Sequence, residues 1–132
     1  AISFYKDAVK IEPDYFKALF NRGIAYDKIG EYDNAIKDYS EAILIDPQNA
    51  FTYYNKGISL DWQGKFSEAI ANFSKAIELE PEKSDFYHNW GFAFRKQKDY
   101  SKAIEDYTTA ISLNPNHFKA FYNRAFCYDK LN

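Results

Sequence analysis

FKALFNRGIAYDKIGEYDNAIKDYSEAILIDPQN, residues 16–49, is the stretch that the rest of the chain copies. A shift of 34 residues carries Gly23 onto Gly57, Gly91 and Ala125, Ala35 onto Ala1, Ala69 and Ala103, and Ala42 onto Ala8, Ala76 and Ala110. The same shift aligns Pro47 with Pro13, Pro81 and Pro115, Tyr39 with Tyr5, Phe73 and Tyr107, and Tyr32 with Phe66 and Tyr100. Small, aromatic and proline columns at fixed offsets are the mark of a repeat architecture.

Each unit reads as a pair of helices. Leu19, Gly23 and Tyr26 recur at three- and four-residue spacing and form one helical stripe, and Ala35, Ile36, Tyr39, Ala42 and Ile43 form a second. Gly23 and Ala42 supply holes and Tyr26 and Tyr39 the knobs that fill them. Gly30 and Gly64 follow the last apolar residue of a first helix, where a left-handed residue closes the turn, whereas the third repeat has Lys98 in that column. Either Lys98 accepts the strain of that conformation or its turn differs. The proline column stops each second helix, because proline donates no backbone hydrogen bond and displaces the residue before it from helical geometry. The predicted helices are residues 1–12, 16–29, 32–45, 49–63, 66–79, 84–97, 100–113 and 116–131.

This pattern resembles the tetratricopeptide repeat family, and the resemblance covers the whole chain. It implies an all-α, right-handed solenoid of antiparallel helix pairs with about eight helices. Residues 1–15 would be the second helix of a truncated repeat, 16–49, 50–83 and 84–117 full repeats, and 118–132 the first helix of another. No linker or charge block interrupts the array, which is expected to be a piece of a longer one. Phe121, Tyr128 and Leu131 would then lack a covering helix, and head-to-tail stacking of the last helix of one copy on the first helix of another is expected.

Composition narrows the partners. Hydrophobic residues make up 46% and charged residues 27%, a foldable mixture, and the net charge of -2 has its signs interspersed. That distribution contains no basic stripe for nucleic acid and no polybasic anchor, and there is no apolar run of membrane-spanning length. Cys127 is the single cysteine, so no internal disulfide can form, and its small-residue column points to a buried, inert thiol. No phosphate loop or paired metal-ligand spacing is present, so neither cofactor nor metal is expected. The only arrangement suited to proton transfer is His88 near Asp85, and no catalytic role is assigned to it.

In the family, the face of each first helix opposite its packing stripe is the concave, ligand-facing wall. The resemblance therefore implies a peptide-binding surface made of Asn21, Asn55, Asn89 and Asn123, one asparagine per repeat, with Phe20, Ile24, Phe51, Tyr54, Ile58, Trp62, His88, Phe92, Tyr122 and Phe126. A side-chain amide both donates and accepts, so such a column could hold a peptide backbone without reading its side chains. It is similar to the asparagine ladder in the repeats of O-linked N-acetylglucosamine transferase. The aromatic residues either mark a binding groove or turn sideways to pack between adjacent first helices. The lysine and asparagine clamp with which some family members hold the acidic tails of heat-shock chaperones would need basic or amide groups at Phe20, Ile24, Asn55, Asp85 and Asn89, and only Asn55 fits fully. The expected function is a non-catalytic scaffold for a protein or peptide ligand, the alternative being the substrate-recruiting arm of a larger enzyme. Finally, Arg22, Lys56, Trp90 and Arg124 share a column beside the core, and ion pairs across repeat boundaries, Lys56 with Asp38 and Arg124 with Asp106, are expected.

Overall fold

A computed structural model describes residues 14–132, in which seven helices follow one another without strands: α1 (Asp14–Lys28), α2 (Tyr32–Ile45), α3 (Ala50–Trp62), α4 (Phe66–Leu79), α5 (Ser84–Lys96), α6 (Tyr100–Leu113) and α7 (Phe118–Leu131). The expected helix at residues 1–12 lies outside the described residues, and with it the counterpart for head-to-tail stacking. Each helix packs on its neighbours in sequence, which makes an α-solenoid.

The turn within each pair is one repeated motif. At the end of α1 the Glu31 N–H donates to the Tyr26 carbonyl at 2.9 Å and the Gly30 N–H to the Asp27 carbonyl at 3.1 Å. Lys65 with Gly64, and Asp99 with Lys98, repeat both bonds at the ends of α3 and α5. The motif needs a left-handed residue in its middle. Gly30 and Gly64 adopt it at φ 80° and 78°, and Lys98 adopts it at φ 66°, accepting the strain. Between repeats the chain turns through the proline column. There Asp46 and Asn114 each accept from the backbone N–H two residues on, while the Tyr53 and Tyr87 hydroxyls reach back to the carbonyls of Pro47 and Pro81. Two predicted starts shift inward, to Ala50 and Phe118, because the residues before them are caps: Asn49 accepts from the Phe51 N–H, and His117 Nδ1 from the Ala120 N–H.

The small columns lie where the helices touch. Ala35, Ala42, Ala69, Ala76, Ala103 and Ala110 are wholly buried, and the Tyr39, Phe73 and Tyr107 rings fill the spaces above Gly23, Gly57 and Gly91. Tyr26, the other expected knob, is only half-buried, with the Arg22 guanidinium 5.9 Å from its ring centre. Leu60 and Phe94 in the same column do enter the core.

The expected ion pairs across repeat boundaries do not form. Asp38 is held by Arg22 of its own repeat, Nε and Nη2 donating at 2.8 and 2.7 Å. Asp106 takes Lys102 one turn earlier in α6, at 3.0 Å, and Arg124 donates to Thr108 Oγ1. Asp38 thus turns toward the first helix of its own repeat, whereas Asp106 pairs within its own helix and keeps one oxygen without a partner. Neighbouring repeats are instead joined by Gln63 Nε2 to Asp33 at 2.5 Å and Gln97 Nε2 to Ser67 at 2.8 Å, while Ser84 Oγ ties α5 to the Ala110 carbonyl of α6 within one repeat at 2.7 Å. Cys127 is fully buried, and burial pushes its thiol up.

Candidate functional site

The first helices α1, α3, α5 and α7 carry the residues expected on the wall, and the structure divides them. Ile58 and Trp62 of α3 meet His88, Asn89 and Phe92 of α5 around a groove of about 600 Å³, which Asp61, Lys96 and Lys119 also border. Trp62 is 69% exposed and lies parallel to Tyr32 at 6.2 Å, so one face of its indole is backed by protein. Phe92 is half-buried, with the Lys96 ammonium 5.2 Å from its ring centre. Phe51 and Tyr54 border a second, smaller cavity of about 220 Å³ beside Phe86.

Other members of the set have turned sideways. Tyr54 packs at 4.6 Å from the Phe86 ring and 5.9 Å from Phe73, and burial pushes its phenol up. Phe20 stacks on Phe16 at 5.9 Å and meets Tyr39 edge-on, and Ile24 is half-buried. Phe126 lies under the Arg95 guanidinium at 4.0 Å, whereas Tyr122 is 74% exposed and borders neither cavity.

The asparagine column is divided as well. Asn123 accepts from Arg95 Nη1 at 3.0 Å and lies 3.0 Å from His88 Nε2, and Asn89 Oδ1 lies 3.1 Å from His88 Nδ1. These two amides are engaged within the array. The side chains of Asn21 and Asn55 make no hydrogen bond among the described residues. Burial pushes the His88 imidazole down from its usual range, helped by the neighbouring His117 and Lys119, while its bond to Asn89 and the charge of Asp85 pull the other way. The Asp85 carboxylate makes its hydrogen bond to His117 Nε2, at 2.9 Å, and not to His88.

Asp61, like Lys96 and Lys119, borders the groove without being among the expected site residues. Its counterpart one repeat earlier, Asp27, accepts from the Tyr39 hydroxyl at 2.7 Å and from Ser59 Oγ at 2.6 Å. In the Asp61 environment those donors have become Phe73 and Ala93, and Asp61 Oδ1 is buried without a hydrogen-bond partner. Burial pushes this carboxyl up to about 7, with Lys96 pulling part of the way back. The folded protein therefore holds the proton more tightly than the unfolded chain, and Asp61 subtracts stability as pH rises from about 4 to about 7. Asp61→Asn is expected to be more stable than the parent by about 1 to 3 kcal/mol at pH 8 and indistinguishable from it at acid pH, as read from urea denaturation at both. An equal difference at both pH values would show that the carboxyl is not the cause.

Among the described residues no helix is long and apolar enough to cross a membrane, and no three His, Cys, Asp or Glu side chains gather as a metal site. No curated protein matches the sequence at a significant level. Solved structures do match the fold. The first TPR of Spaghetti (RPAP3) bound to HSP90 peptide SRMEEVD is 27% identical over 88% of this chain and 92% of its own, with a TM-score of 0.86. The second TPR domain of human RPAP3, in complex with HSP70 peptide SGPTIEEVD, is 26% identical over 82% and 90%, with a TM-score of 0.79. MamA is 27% identical over 96% of this chain and 74% of its own, with a TM-score of 0.86. The description "Tetratricopeptide repeat" matches residues 16–49, 50–83 and 84–117, and a second model of the same description matches 106–132. With its glycine, alanine and proline columns at the helix contacts and turns, and with those matches spanning residues 16–132, the chain belongs to the tetratricopeptide repeat family.

Proposed function

We propose that this chain is a non-catalytic scaffold that binds a peptide segment along the wall formed by α1, α3, α5 and α7. The observation that carries it is the groove between α3 and α5, where the exposed indole of Trp62 and the ring of Phe92 lie on a face that a monomer leaves wet. Aromatic side chains of this kind supply much of the energy at protein interfaces. Asn21 and Asn55 add two amides that can pair with a ligand backbone. Similarity to repeats solved with short peptides bound supports a peptide as the ligand.

The ligand differs from the acidic chaperone tails held by those relatives. Phe20 and Ile24 stand where a clamp needs a base and an amide, and Asp85 would repel a carboxylate. Selection from a displayed peptide library tests the proposal. Selected peptides should lose about tenfold or more in affinity for Trp62→Ala/Phe92→Ala, and a smaller factor for Asn21→Ala/Asn55→Ala. Helical circular dichroism should be unchanged in both, and SRMEEVD should not compete. Peptides that bind both variants as tightly as the parent would place the interaction elsewhere.

A further inference from the structure

We propose that the carboxyl of Asp61 is the hydrogen-bonding end of a subsite that takes a tyrosine side chain from an acidic peptide, an inference that rests on the groove described above and specifies what enters it. The first repeat shows what a carboxylate at this position binds. Asp27 accepts from a phenol, that of Tyr39, at 2.7 Å, and from the Ser59 hydroxyl of the next repeat at 2.6 Å. One repeat on, both donors are lost together: Phe73 and Ala93 are wholly buried and carry only carbon. Asp61 Oδ1 is left out of solvent with no donor, a state that folded proteins rarely keep without a reason.

The same residue borders the groove, and a turn about the soft torsion of its carboxyl brings the oxygen to a donor on the ligand side. A phenol suits that space on two counts. Its hydroxyl provides the donor that Phe73 lacks, and its flat ring fits against Trp62 and Phe92. Lys96 and Lys119 stand at the border of the groove and favour acidic residues beside the tyrosine. The chemistry is therefore the Tyr39–Asp27 contact, rebuilt with the phenol supplied by another molecule.

Two blocked pentapeptides, Ala-Glu-Tyr-Glu-Ala and Ala-Glu-Phe-Glu-Ala, titrated into the chain by calorimetry and amide NMR, test the inference. The tyrosine peptide is expected to bind about fivefold to tenfold more tightly than the phenylalanine peptide. That preference should vanish in Asp61→Ala. It should vanish equally in Phe73→Tyr, which provides an internal phenol in the place that Tyr39 occupies relative to Asp27. Equal affinities in the parent, a preference that survives in both variants, or shifts that bypass Ile58, Trp62 and Phe92 would each overturn it. So would failure of both peptides to bind, and that result would leave the groove itself to be judged by the library selection.

Discussion

Gly57→Leu is expected to cost about 3 kcal/mol and to lower the melting temperature by roughly 10 °C. A Cβ atom at Gly57 would lie 2.6 Å from one carbon of the Phe73 ring and 2.8 and 2.9 Å from two others, closer than real contacts of this kind. The ring cannot retreat. Phe73 is wholly buried in a cluster with Leu60, Ala69 and Ala93, and Tyr54 leans on it at 5.9 Å. Even Gly57→Ala, which gains about 1 kcal/mol of intrinsic helical preference, should be a net loss here, because the obstacle is a packed ring and not the end of a flexible chain. Gly91 is the internal comparison: its Cβ would stand 3.0 Å from Tyr107, so Gly91→Ala should be milder. Thermal and urea melts of the three variants settle the order. A loss below about 1 kcal/mol for the leucine variant would mean that the glycine column does not set how closely α3 and α4 approach.

Arg22→Met is expected to cost about 1.5 to 3 kcal/mol. The Arg22 side chain is 53% exposed and its own removal from water is slight, but it is the partner of an Asp38 carboxylate that is only 2% exposed. The fork of two bonds, at 2.8 and 2.7 Å, satisfies both oxygens at once. Methionine keeps the aliphatic cover and removes the donors, leaving a buried charge without a partner. The third repeat already displays such a loss, since Trp90 occupies the arginine column there. Asp106 falls back on Lys102, its Oδ2 has no partner, and burial pushes its carboxyl up to about 7. Denaturation at pH 7 should show the loss in Arg22→Met, and Asp38→Leu added to it should recover most of the stability. A double variant as weak as the single one would show that the pair contributes through something other than the stranded carboxylate.

Most of the architecture was legible because a solenoid writes each contact several times. Gly23, Gly57 and Gly91 could be assigned to helix contacts without coordinates, since the same offset pairs each of them with an aromatic ring. Lys98 could be marked as the strained member of its column for the same reason. What repetition does not reveal is direction. The aspartates at 38 and 106 share a column, yet only the structure shows that Asp38 pairs with the first helix of its own repeat and Asp106 with Lys102 of its own helix. Tyr54 sits on the wall face by spacing yet leans into Phe86, because the gap between adjacent first helices accommodates a ring.

Asp61 was hidden for a different reason. Its column reads Asp27, Asp61, Arg95 and Asp129, which looks like ordinary surface charge. The signal lay in two other columns that change together, Tyr39 to Phe73 and Ser59 to Ala93. Those substitutions gain meaning only once the structure shows that residues 12 and 32 positions away converge on one carboxylate.

The ties between repeats have a bearing on the shape that a bound chain would encounter. Gln63 with Asp33, Gln97 with Ser67 and Ser59 with Asp27 are short, directional bonds with uncharged donors, and no lysine or arginine among the described residues bridges successive repeats to a carboxylate. Counter-ions weaken attractions between separated charges far more than bonds of this type. The pitch of the superhelix, and with it the spacing of footholds along the inner surface, is therefore set to hold steady between dilute and saline surroundings.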